Sequence, residues 1–181
     1  MKNILLLVHD DAGQEARFQA ALDITRALRG HLICLGVTVM PAVIGDFYSY
    51  SATAEAMLVA DETEREALNR QRLEARLARE DVPWNWIDVT GTLAASLESA
   101  AKMADVVVVN RRLVSSASPD MRSVASEVVI GSGKAVIAVP EDARGFNAAG
   151  IAMVAWDGSK EAMKALQAAV PLLELALAVN L

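Results

Sequence analysis

Apolar and polar positions follow two different periods along this chain, and each change of period marks an element. Ile4 to Val8 is an unbroken apolar run, as expected of a parallel strand covered on both faces. Phe18, Ala21, Leu22, Thr25 and Leu28 then recur at helical spacing, and Gly30 is a natural stop. Leu32 to Val39 reads as a second strand closed by Pro41, with a looser segment from Ala42 to Tyr50 behind it. A long helix is predicted over Thr53 to Glu80. Glu66, Arg70 and Glu74 stand four apart on it, a ladder of ion pairs worth about 0.3 kcal/mol each. Pro83 ends that segment, and Trp84-Asn85-Trp86-Ile87-Asp88-Val89 alternates as an edge strand whose tryptophans pack under a helix. Gly91 turns the chain into a helix with Leu93, Leu97, Ala100, Ala101 and Ala104 on one face. Val106 to Val109 is another buried strand, 110–120 a polar loop, Met121 to Ile130 a helix and Ala135 to Val139 a fifth strand. Strands alternating with helices in this way predict an α/β fold built on a parallel sheet with right-handed crossovers.

The pattern then starts again. Ile151-Ala152-Met153-Val154-Ala155-Trp156-Asp157 repeats the opening Asn3-Ile4-Leu5-Leu6-Leu7-Val8-His9-Asp10, an apolar strand ending on a carboxylate. A helical stretch follows each, and each contains Gln-Ala-Ala, at Gln19 to Ala21 and at Gln167 to Ala169. Such self-similarity predicts one complete unit over residues 1–143, a linker over 144–149 and the beginning of a second, truncated copy over 150–181. In that copy Pro171 should kink or cap the helix, and a second strand should begin within Ala176 to Leu181.

Composition narrows the partners. Hydrophobic residues make up 54% of the 181, ample for a packed core. The net charge of −6, with Lys and Arg dispersed, argues against nucleic acid. The single cysteine, Cys34, lies in an apolar run and is expected to be a buried structural thiol, which fits a reducing cytoplasm. The run after Met1 is too short for a signal peptide, and the apolar stretch Ala162 to Leu181 is broken by Lys164, Gln167, Pro171 and Glu174, so no membrane association is expected.

Taken in order, these parts resemble the universal stress protein family. The resemblance rests on a strand ending in aspartate (Asp10, then Asp157-Gly158-Ser159) and on the strand Ala104-Asp105-Val106-Val107-Val108-Val109. It also rests on Ser123-Val124-Ala125-Ser126-Glu127-Val128 running into Ala135-Val136-Ile137-Ala138-Val139-Pro140. It implies a five-stranded parallel sheet of order 3-2-1-4-5 with helices on both faces, followed by the partial second copy. It further implies a crevice outside the carboxyl ends of strands 1 and 4, where nucleotide-binding members hold ATP. The positions that would line it here are His9, Asp10, Val37, Val109, Asn110, Arg112, Ser123 and Val124, with Asp157, Gly158 and Ser159 as the counterpart in the second copy.

The family's phosphate loop is Gly, two residues, Gly, nine residues, Gly, then Ser or Thr, so that bare backbone can approach the phosphates. The glycine positions fall at or near Asn110, Leu113 and Arg122, and no glycine occurs between 92 and 130; Ser123 alone matches. The usual triphosphate pose is therefore expected to be blocked, with Leu113 and Arg122 filling the cradle. A side-chain anion site built from Arg111, Arg112, Ser115, Ser116 and Ser118 is one alternative, and an ordinary polar loop the other. Asp120 is placed to cap the following helix.

Gly131-Ser132-Gly133-Lys134 imitates part of a P-loop but follows a helix and precedes a strand, so it reads as a helix-terminating turn. His9-Asp10-Asp11 invites a metal reading, but His31 is predicted at the far end of the neighbouring strand and no second ligand cluster presents itself, so no metal is assigned. The expected protein is a non-catalytic, cytoplasmic stress-response module with a degenerate nucleotide site. It would act as a homodimer or an intramolecular pseudo-dimer and contact a regulatory protein partner. ATP or another adenine nucleotide in an altered crevice is the alternative, and a slow ATP hydrolase the third.

Overall fold

The computed structural model describes residues 1–39, 52–115 and 119–181, together with the backbone but not the side chains of 52–55. The looser segment 42–50 and the hydroxyls of Ser116 and Ser118 lie outside the described residues. In chain order the first unit runs β1 (Asn3–Val8), α1 (Gln14–Leu28), β2 (His31–Val39), α2 (Ala52–Leu77), β3 (Trp84–Gly91), α3 (Leu93–Ala101), β4 (Val106–Asn110), α4 (Met121–Gly131) and β5 (Ala135–Val139). After it come β6 (Ile151–Met153), α5 (Lys160–Leu173) and β7 (Ala178–Asn180).

The five strands of the first unit form one sheet of order β3-β2-β1-β4-β5, as the resemblance implied. Every pairing is parallel, with Asn3 opposite His31 and Ile4 opposite Val106 across the central strand. The unbroken apolar run of β1 has a direct cause, since alternate side chains serve opposite faces. Ile4, Leu6 and Val8 pack with α1 and the end of α2, whereas Leu5 and Leu7 pack with α3 and α4. Cys34 of β2 is buried on the α1–α2 side. β3 is an edge strand, and its Trp84 and Trp86 pack against that same cluster, with the Arg70 guanidinium 5.5 Å above the Trp86 ring.

Two local details differ from expectation. The left-handed residue that ends α1 is Arg29, at φ 48°, not Gly30. Gly30 is needed for space instead, because a Cβ there would sit 2.5 Å from both Ile4 Cδ1 and the Lys2 carbonyl oxygen. In the predicted ion-pair ladder, Arg70 does bind Glu74, at 2.9 Å, and also binds Asp88. Glu66 turns away from the ladder, toward the end of β1.

β6 is shorter than predicted, ending at Met153, and pairs in parallel with β7 through Ile151–Ala178 and Met153–Asn180. α5 contains Pro171 in its last turn. Leu172 packs on the α1 side of the main core. The residues expected to be a linker are docked as well: the Phe146 amide donates to Asp23 Oδ2 at 2.9 Å, and Ala143 and Phe146 pack on the same cluster. Among the described residues no helix is long and apolar enough to cross a membrane.

Candidate functional site

β1 runs into α1 on one face of the sheet and β4 runs toward α4 on the other, so the chain diverges outside the carboxyl ends of these neighbouring strands. That divergence is where open α/β sheets leave a crevice for ligands. At these strand ends the chain's own side chains converge. Arg17, one turn into α1, is fully buried and reaches back toward the sheet. Its Nε donates to the Leu7 carbonyl at 2.8 Å and Nη2 to the His9 carbonyl at 2.6 Å. Its Nη1 donates at 2.6 Å to both Asp11 Oδ1 and Asn110 Oδ1. Asn110, also fully buried, passes a further hydrogen bond from Nδ2 to the Val139 carbonyl at 3.3 Å.

Asp11 Oδ1 also accepts the Gly13 amide at 2.8 Å, which closes the turn into α1. Gly13 is the point of closest approach. A Cβ at this position would lie 2.5 Å from Asn110 Oδ1 and 2.6 Å from Leu113 Cδ2, inside van der Waals contact. Arg17, Asn110 and Leu113 thus seal the strand ends against one another. Arg122, expected to share in filling the cradle, stands exposed in the first turn of α4, on a groove with Arg111, Ala125 and Ala138.

The loop after β4 meets a second internal group. The Glu141 carboxylate, just past β5, accepts the amides of Val114 and Ser115, the latter at 3.2 Å, together with the Ser115 hydroxyl. Those hydrogen bonds, led by the hydroxyl, hold Glu141 below the usual carboxylate range. Successive backbone N–H groups converging on an anion are the arrangement a phosphate would need, and a carboxylate of this chain already takes it. Outside this contact lies an open cleft of about 570 Å³ that includes Arg111, Arg112, Glu141 and Asp142.

The other expected residues are distributed around this plug. Val37 and Val109 are buried in the α3–α4 cluster, and Val124 packs against it. Arg112 is exposed. Ser123 is exposed as well, its hydroxyl donating to Glu127 at 2.9 Å, while its amide is capped by Asp120 at 3.2 Å, as the sequence suggested. Asp10 does not face the crevice. Its carboxylate accepts from Arg72 at 3.0 Å, and its amide donates to Glu66 Oε1 at 2.9 Å. Asp157, Gly158 and Ser159 form a helix-start turn: Asp157 accepts the Ser159 amide at 2.9 Å, and Ser159 Oγ accepts the Ala162 amide at 3.0 Å.

His9 is where the structure departs most from the sequence reading. No ligand cluster was expected around it, yet α2 brings Glu66 Oε1 to 2.7 Å and Glu62 Oε1 to 3.9 Å from its Nδ1. Burial pushes the Glu66 carboxyl up, but the contacts from His9, the Asp10 amide and Asn69 outweigh it and leave the group below its ordinary value. Asn69 links Glu66 to α1, exchanging hydrogen bonds of 2.7 and 2.8 Å with Gln14.

The roles of Arg17, Asp11, Gly13, Glu66 and Glu141 at this site escaped the sequence reading. For Arg17 a signal existed, because it shares a helical stripe with Ala21, Ile24 and Leu28, all buried.

No protein-family model matches this sequence, and no curated protein does. Solved structures do. The universal stress protein UspA from Lactobacillus plantarum matches with a TM-score of 0.60 at 21% identity, over 76% of this chain and 97% of that one. A protein from the universal stress protein family from Burkholderia pseudomallei matches with a TM-score of 0.58, also at 21% identity, over 77% of this chain and 96% of that one. This chain therefore has the fold of the universal stress proteins.

Proposed function

We propose that the chain is a universal stress protein whose first unit has given up the usual nucleotide pose and acts as a non-catalytic, cytoplasmic regulatory module through protein contacts. The observation that carries this reading is the sealed strand-end crevice, where Arg17, Asn110 and Leu113 occupy the switch point. Glu141 adds a second obstacle, since a phosphate approaching the amides of 114 and 115 would have to displace a carboxylate. Protein contacts are supported by the edge at β5, where the adjoining α4 exposes Val129 and Ile130. Pairing with a second copy, or with a further domain of the same chain, would cover these side chains.

A second reading has its own observation. Arg111 and Arg112 border the 570 Å³ cleft beside the plug, and an adenine nucleotide could use them in place of backbone amides. A thermal-shift series with ATP, ADP and AMP at millimolar concentration separates the two. No change with any of them is the expected outcome. A nucleotide present at one hundred times its dissociation constant would stabilise the fold by about 2.7 kcal/mol, and a shift of that size would replace the first reading with the second. Sustained phosphate release from ATP would instead favour the hydrolase.

A further inference from the structure

We propose that His9, Glu62 and Glu66 form a binding site for a divalent first-row transition metal, an inference that stands apart from the nucleotide question. The three residues come from two rigid places. His9 directly follows β1, while Glu62 and Glu66 lie one turn apart on α2, so both carboxylates face the same way. One ligand atom from each lies within 4.8 Å of the other two. Tetrahedral coordination at about 2.0–2.1 Å places ligand atoms about 3.3 Å apart. The separations of 2.7 and 3.9 Å from His9 Nδ1 bracket that spacing.

Burial makes the cluster more than a group of surface acids. The side chains of His9, Glu66 and Glu62 are 6%, 8% and 16% exposed. His9 Nδ1 is inaccessible and has no well-aligned hydrogen bond, its close neighbour being Glu66 Oε1 at 2.7 Å. An imidazole nitrogen left in that state, facing two carboxylates, is suited to a cation that accepts one nitrogen and two oxygen donors. Such a donor set favours zinc and its first-row neighbours over magnesium or calcium. Outer contacts already orient the ligands: the Asp10 amide and Asn69 hold Glu66. Arg65 is the internal competitor, 2.7 Å from Glu62 Oε2 and 3.8 Å from Glu66 Oε1. Its side chain is nearly half exposed and free to swing outward. Glu66 also borders a cleft of about 310 Å³ with Thr38, Thr63 and Asp88, which gives an ion a route in.

The test is equilibrium dialysis of the chelator-treated full chain against Zn²⁺, with metal counted by mass spectrometry and Co²⁺ absorption as a second readout. The expected result is one saturable Zn²⁺ per chain, insensitive to excess Mg²⁺. Glu62→Gln, the most exposed substitution, should weaken it at least tenfold and abolish the Co²⁺ bands, with circular dichroism confirming that the variant is folded. Arg65→Gln should leave affinity equal or tighter. Binding below one equivalent, or a folded Glu62→Gln chain whose zinc affinity is within threefold of the parent, overturns the site.

Discussion

The first and last β-α-β units of this chain share a local plan and differ in almost everything that holds them together. β1-α1-β2 and β6-α5-β7 each consist of two parallel, adjacent strands joined by a helix. Each helix is preceded by an aspartate that accepts the amide two residues on, Asp11 with Gly13 and Asp157 with Ser159. The geometry therefore matches Asp157 to Asp11 and not to Asp10, one residue off the register read from the sequence. Yet α1 buries ten residues and α5 none. β7 is exposed throughout, and Ile151, Met153, Leu177 and Leu181 present large apolar side chains to solvent. Local pattern is enough to shape the unit. Burial comes only from the strands and helices that flank it, and the second unit has few of them.

The sharpest way to break this comparison is at the fourth residue of each helix, Arg17 in α1 and Met163 in α5. Arg17→Met would leave the Asp11 carboxylate and two strand-end carbonyls buried without their donor. A loss of about 3–5 kcal/mol is expected in urea unfolding. Met163→Ala, at a side chain 43% exposed, should stay within about 0.5 kcal/mol. Equal losses at the two positions would mean that the last unit is as tightly packed as the first.

A smaller contrast lies at the eleventh helical residue. Ile24 is fully buried and Val170 is 42% exposed. Truncating Ile24 to Ala should cost about 2–5 kcal/mol, while Val170→Ala again costs about 0.5 kcal/mol or less. Paired denaturation curves with unchanged slopes give both numbers.

The smallest expected difference is in acid. The Glu66 carboxyl has a folded-state pKa below its ordinary 4.5, so its contribution is fully present above about pH 4.5 and is lost as pH falls through the lower folded value. Glu66→Gln should therefore flatten the acid limb of global stability below pH 4.5. Asp157, held low mainly by Ser159 but fully exposed in the last unit, should leave that limb unchanged when replaced by Asn. A flattened limb in Asp157→Asn would show that the last unit unfolds together with the first.

What could be read in the sequence followed from local causes. The runs at Ile4–Val8 and Val106–Val109 declared themselves because strands covered on both faces have no polar side to show. Asp120 was visible because a cap acts within one turn. The contents of the crevice were hidden because they depend on convergence across the sheet. An arginine reads as solvated until a fold places Leu7, His9, Asp11 and Asn110 around it. Glu66 looked like one rung of a surface ladder because its other partner, His9, is distant in sequence. Glu141 drew no notice because nothing near it in sequence names the amides of residues 114 and 115.

Cys34 gives the central strands a clock of their own. It is the only cysteine in the chain, fully enclosed in β2, with its thiol pushed up to about 12 by burial and secondarily by Glu74. At neutral pH it stays protonated and out of reach of alkylating reagents while the sheet is closed. Each modification therefore records a moment when β2 came away from its neighbours, and the labelling rate counts those openings.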